Sequence, residues 1–221
     1  MSKYQTENKN NRFERLKDFI FDNQKSLTVI GSIIIGLVLV FSWYQYLYIP
    51  SQESEAQNQM FKAEYYFDTD SLSKAIDGDG SYPGFKQIVE EYGNTKSGNL
   101  AQYYLGICYL KTGKFEQAIE HLTSFNGSDA IFSTMALGAS GDAYSELKQY
   151  DKAIVFYKKA IDKVKNSFTA PMYLKKLALV YEELKDFKSA LESYEKIKTE
   201  YSDSEEAKSI ETYIARAEAQ I

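Results

Sequence analysis

One histidine, His121, and one cysteine, Cys108, are the side chains best suited to chemistry in this chain of 221 residues. A nucleophile needs a base in reach and a third group to orient that base. No Ser or Cys can be assigned such a triad with His121, which sits beside Leu122 on an amphipathic segment. A metal site here would rest almost wholly on carboxylates, and a lone cysteine excludes both an intrachain disulfide framework and a Cys-based zinc site. Cys108 precedes the apolar-face residue Tyr109 and reads as a small buried side chain. Gly78-x-Gly80 follows no strand, so it lacks the context of a dinucleotide fingerprint. The pairs Glu90-Glu91, Glu182-Glu183 and Glu205-Glu206 read as solvated helix faces. The expectation is no catalytic centre, no metal, no cofactor and no enzymatic activity.

The charge balance narrows the partners. There are 26 Lys+Arg against 31 Asp+Glu, a net charge of −5. Nucleic acid is therefore not expected as a partner, for want of a basic field. Residues 27–49, LTVIGSIIIGLVLVFSWYQYLYI, contain no charge, and thirteen of them are Leu, Ile, Val or Phe. At about 1.5 Å per residue the run makes roughly 34 Å of helix, enough to cross a hydrocarbon core about 30 Å thick. It is too long, and its charged lead-in too extended, for a cleaved signal peptide. Trp43, Tyr44, Tyr46 and Tyr48 gather at its far end, where an interfacial aromatic belt belongs.

The arm 1–26 is charged, with Phe13, Leu16, Phe19 and Ile20 at helical spacing. That face reads either as a helical lead-in to the span or as a short helix lying on the membrane surface. Lys3, Lys9, Arg12, Arg15, Lys17 and Lys25 precede the span, whereas residues 50–70 hold only Lys62. The positive-inside rule then puts the N-terminus in the cytoplasm and everything after the span outside. In a bacterium with two membranes that is an inner-membrane protein with a periplasmic domain.

Beyond the span the chain is repetitive. In LGICYLKTGKFEQAIEHL, residues 105–122, Leu105, Gly106 and Tyr109 share one helix face and Phe115, Ala118 and Leu122 another. The types recur 35 residues on at Gly141, Tyr144, Tyr150, Ala153 and Tyr157, and 37 further on at Ala178, Tyr181, Phe187, Ala190 and Tyr194. A hairpin of this kind cannot bury its own apolar face and needs stacked neighbours. With a period of about 34 residues and this small–aromatic–small punctuation, the chain resembles a tetratricopeptide repeat protein from about Ser81 to its end. The Trp that often opens the motif is replaced by Gln102, Leu137 and Leu174.

The expected fold is all-α: an N-terminal single transmembrane helix, then a tetratricopeptide-like α-solenoid of helical hairpins with a C-terminal capping helix. The expected divisions are an arm 1–26, a span 27–49 and a repeat domain 50–221. Within that domain come an atypical hairpin at 51–98, with 51–76 helical and a break at 77–84, then repeats at about 99–131, 132–168 and 169–204. A closing helix takes 205–221, because terminal repeats must cap an open core. Asn94-Thr95 and Asp203-Ser204 read as helix caps.

The resemblance implies an inner face lined by the first helix of each repeat. By phase these positions are Tyr103, Ile107, Leu110 and Lys111, then Met135, Asp142 and Ser145, then Met172, Lys175, Leu179 and Glu182. The same positions are equally placed to complete the core. Asp142 and Glu182 disagree with the basic pattern of the family's carboxylate clamp, so capture of chaperone C-termini by that clamp is not expected. In arrangement, the chain is similar to the ancillary Sec translocon subunit (YfgM-like) family. That resemblance implies a non-enzymatic subunit at the export channel, meeting exported polypeptides or periplasmic chaperones. Its span would bind the channel laterally through Gly31, Ser32 and Gly36. The alternative is a structural scaffold for a cell-envelope complex, by its groove or by self-association.

Overall fold

The computed structural model describes residues 14–15 and 17–221. Most of the basic arm, with Phe13 and Leu16 of its apolar face, lies outside the described residues. Every regular element among the described residues is helical, so the all-α expectation holds. The chain divides into two compact units, Met1–Ser51 and Gln52–Ile221.

The first unit is dominated by helix α1, Gln24–Trp43, none of whose residues is buried. It is long and apolar enough to cross a membrane, with a mean hydropathy of 2.2 over its most apolar stretch. At Tyr44–Tyr48 the backbone widens into a π turn, and the Ile49 N–H reaches five residues back to the Tyr44 carbonyl. Pro50 supplies the reason. It has no N–H to donate, and in an α-helix its ring would strike the carbonyl four residues earlier, so a wider turn relieves the collision. The turn also stacks Tyr44 on Tyr48, ring centres 5.5 Å apart, with Trp43 5.8 Å from Tyr48.

The second unit contains α2 (Ile49–Asp68) from Gln52 on, α3 (Leu72–Asp77) and α4 (Phe85–Tyr92). Three hairpins come next, α5/α6 (Lys96–Lys111, Phe115–Ser124), α7/α8 (Ala130–Glu146, Tyr150–Lys163) and α9/α10 (Thr169–Glu183, Phe187–Glu200). A 3-10 turn at Glu206–Ser209 leads into α11, Ile210–Glu218. The single helix expected over 51–76 is broken: Asp70 takes a left-handed conformation (φ 55°) and α3 starts afresh at Leu72. Thr95 caps α5 by accepting the Gly98 N–H at 2.9 Å, and Ser204 accepts that of Ala207 at 3.2 Å.

The three hairpins turn in the same way. Gly113, Lys148 and Lys185 occupy equivalent positions with φ of 76°, 56° and 61°. After each, a backbone N–H closes on a carbonyl five residues back: Lys114 to Tyr109, Gln149 to Tyr144, Asp186 to Tyr181, all at 2.8–2.9 Å. This is the left-handed helix stop that glycine suits best. Only the first repeat has the glycine.

Small residues set the closeness of the paired helices. A Cβ on Gly106 would lie 2.6 Å from the Leu122 Cγ, and one on Gly141 would lie 2.7 Å from the Tyr157 ring. The interior falls into two clusters. One runs from Ala56 to Ala143 around Phe85, Ile88, Leu105 and Leu122, and the other from Ala153 to Ala217 around Tyr194, Ile197 and Ile210. Helix α7 is thin, rich in Ala, Gly and Ser, and feeds both: Ala136, Ala139 and Ala143 pack into the first, Leu137 and Tyr144 against the second.

Candidate functional site

No catalytic constellation forms around the two residues that could have carried one. Cys108 is fully buried, and that burial pushes its thiol up to about 12; a thiol so protonated is not a nucleophile. The His121 Nδ1 lies 2.6 Å from Gln102 Oε1 and its ring stacks on Tyr109 at 5.4 Å. Burial holds its pKa below the usual histidine value. Among the described residues no cluster of three or more His, Cys, Asp or Glu could hold a metal ion.

An open feature of the second unit lies instead along the C-terminal ends of successive first helices. Two cavities of about 500 Å³ each share Asp142, Ser145, Glu146, Tyr157 and Lys176, so they are halves of one groove. One half reaches Leu110, Lys111 and the first hairpin turn; the other reaches Leu179, Glu182 and Glu183. The groove exists because equivalent positions of three stacked helices are brought side by side.

At the groove's midpoint Asp142 accepts two hydrogen bonds from Lys176 Nζ, at 2.8 and 2.7 Å, and a third from the Tyr157 hydroxyl at 2.8 Å. Burial first, and then the Asp142 charge, hold the Tyr157 phenol well above the usual tyrosine range. Asp142 thus bridges the second helix of its own repeat and the first helix of the next. It has little capacity left for a ligand, and its charge is matched.

The positions mapped to an inner face separate into three groups. Lys111, Asp142, Ser145, Leu179 and Glu182 line the groove together. Ile107, Met135 and Met172 are half-buried against the cores. Tyr103 is a correction: at 5 % exposure it belongs to the first core. Phe132 and Phe125 pack edge-on and tilted around it, at 5.2 and 5.7 Å, and its hydroxyl points to the Met135 sulfur at 3.9 Å. An amphipathic helix shows the same spacing for a groove position as for a core position, so only packing separates them.

Lys175, outside those three groups, and Glu182 of the groove are held by the closing helix. Lys175 Nζ sits 4.4 Å over the Tyr213 ring, and Glu182 pairs with Arg216. Lys176, Glu146 and Glu183 also line the groove, though the mapping by phase did not include them. Lys111, Glu146 and Glu183 share one phase of the repeat, so extending that phase from Lys111 would have found both glutamates.

Stacked hairpins with left-handed turns at fixed phase, the second helix of each packed on the first helix of the next, define a helical-repeat protein. Comparison with known proteins specifies the repeat. Profiles described as tetratricopeptide repeat match residues 136–162, and 100–126 and 176–204. Among solved structures, the chain is similar to the nearly identical TPR-like repeats of a Podosopora anserina protein assigned as a kinesin light chain, and to a point variant of it. Each has a TM-score of 0.57 at 16 % identity, covering 76 % of this chain and 87 % of that one. At that identity the likeness speaks for the fold alone. No curated protein matches the sequence. The chain carries tetratricopeptide repeats on a solenoid-like fold, the architecture of a protein-interaction module.

Proposed function

We propose that this is a non-enzymatic, membrane-anchored protein-binding module, an accessory subunit of the Sec translocon that contacts exported polypeptides or periplasmic chaperones. The observation that carries the reading is the open groove along three successive first helices. Stacked helical repeats use extended surfaces of this kind to bind other chains. Helix α1 supports the anchor, being free of charge from Leu27 on and without one buried residue. The excess of Lys and Arg before it supports a cytoplasmic N-terminus and a periplasmic repeat domain.

A crosslinking experiment tests this. A photo-reactive residue is placed at Val38 in the apolar helix, and separately at Leu179 in the groove, and the adducts formed in native membranes are identified by mass spectrometry. Channel subunits from Val38, and exported polypeptides or chaperones from Leu179, are the expected products. Recovery of only copies of the chain or an outer-membrane assembly from both positions would replace the proposal with the scaffold reading. Protease added to spheroplasts should digest the repeat domain; protection until lysis would reverse the orientation.

A further inference from the structure

The groove has a chemical preference, which rests on the reading of it as a polypeptide site. Most of its charges are already matched within the chain. Asp142 is held by Lys176, Lys111 by Asp70 at 3.0 Å, and Glu182 by Arg216. Glu146 and Glu183 are exposed and make no ion pair or hydrogen bond among the described residues. They occupy the same phase on adjacent first helices and line the same cavity, with Leu179 one turn before Glu183 on its helix. Among the described residues the one unmatched cation in that cavity is Lys148, carried on the hairpin turn.

We infer that the groove takes an extended peptide segment bearing two basic side chains on one face and an apolar side chain between them. Packed helix axes lie about 8–10 Å apart, and for two exposed carboxylates on neighbouring helices of one cavity we take a spacing of that order. A polyproline-II strand brings every third side chain to one face at about 9 Å intervals. The fitting pattern is therefore Lys-x-x-Lys or Arg-x-x-Arg with an apolar residue inside. Glu146 and Glu183 would each meet one cation, Leu179 would meet the apolar side chain, and Lys148 would repel a ligand cation.

The test uses the full chain in a non-ionic detergent and fluorescein-labelled synthetic peptides, read by anisotropy. One peptide carries Lys-Leu-Ser-Lys in a neutral Ser/Gly background; its counterparts carry Gln or Glu in place of both lysines. Two exposed ion pairs predict a preference of about fivefold for the Lys peptide over the Gln peptide, shrinking with added salt. The Glu146→Gln/Glu183→Gln double variant should abolish the preference without changing the helical circular dichroism. Lys148→Gln should raise affinity for the Lys peptide and lower it for the Glu peptide. Equal binding of the Lys and Gln peptides would overturn the charge assignment and leave the groove as a peptide site. A preference that survives in the double variant would place it elsewhere on this acidic chain and overturn the inference. If the three peptides bind nowhere in the groove, the polypeptide-site reading falls with it.

Discussion

Arg216 grips Glu182 with both arms of its guanidinium: Nη2 stands 2.6 Å from Oε2 and Nε 3.2 Å from Oε1. Glu182 lies on the first helix of the last full repeat and Arg216 on the closing helix, so α11 docks where the first helix of another repeat would lie. Tyr213, on the same helix, is flanked by Lys175 at 4.4 Å and Arg216 at 4.9 Å. Its inward residues, Ile210, Ile214 and Ala217, are buried, while Glu211, Ala215 and Glu218 face out. A polar outer face is what ends a repeat stack.

Because the Glu182 side chain is 17 % exposed and that of Arg216 51 %, screening limits the pair to about 1 kcal/mol. Arg216→Ala should destabilise the repeat domain by that amount in urea unfolding monitored by circular dichroism. A double-mutant cycle with Glu182→Gln should return a coupling of similar size. A coupling near zero would mean that α11 is held by its apolar face alone.

The hairpin turns offer a stabilising change. Lys148 and Lys185 adopt the conformation that Gly113 takes in the first repeat. A left-handed conformation costs an L-residue about 1–2 kcal/mol, of which glycine's greater unfolded-state freedom offsets about 0.5–1. Lys185→Gly should therefore raise stability by about 0.5–1 kcal/mol, and Gly113→Ala should lower it by a similar amount. Thermal melts of the single variants measure both.

Stability should depend on pH through His121. Its pKa is lowered from 6.5 by burial, so the folded state favours the neutral ring. The unfolded chain then takes up the proton first as pH falls through 6.5, and the stability contributed by the neutral ring is full above that value. It declines below 6.5, until pH reaches the lower folded value. The melting temperature should fall between about pH 7.5 and pH 5.5, a range set by the ordinary histidine pKa. His121→Gln should flatten that slope; an unchanged slope would assign it to other groups.

Cys108 should be inert. With the thiol fully buried and pushed up to about 12, maleimide should label the native chain only at the rate of unfolding. In denaturant the labelling should become complete within minutes. Rapid labelling of the folded chain would show that the first core opens locally.

The repeat hairpins were legible in the sequence because a buried helical face has a period, and Gly106, Gly141 and Ala178 recur at that period opposite Leu122, Tyr157 and Tyr194. The apolar helix α1 was legible because charge-free length is a property of composition. The break at Asp70 was not read, although Ala75 and Ile76 fall out of phase with Ala56, Met60 and Ala63 on one continuous helix; a left-handed residue other than glycine leaves no mark of its own in the sequence. The π turn was hidden too, since Pro50 announces a local disturbance without saying whether the helix stops, kinks or widens.

For the candidate site the division is sharper. Sequence alone determined which residues share a phase, and so which stand in one row when hairpins stack. It did not determine which row closes into core and which stays open, because Tyr103 and Lys111 belong to the same first helix and the same amphipathic pattern. Tertiary structure decided that by crossing the chain: Phe125 and Phe132 close over Tyr103, Lys176 neutralises Asp142 from the next repeat, and Arg216 takes Glu182 from the closing helix. Each of those contacts joins residues remote in sequence, and local periodicity carries no record of which remote side chain arrives.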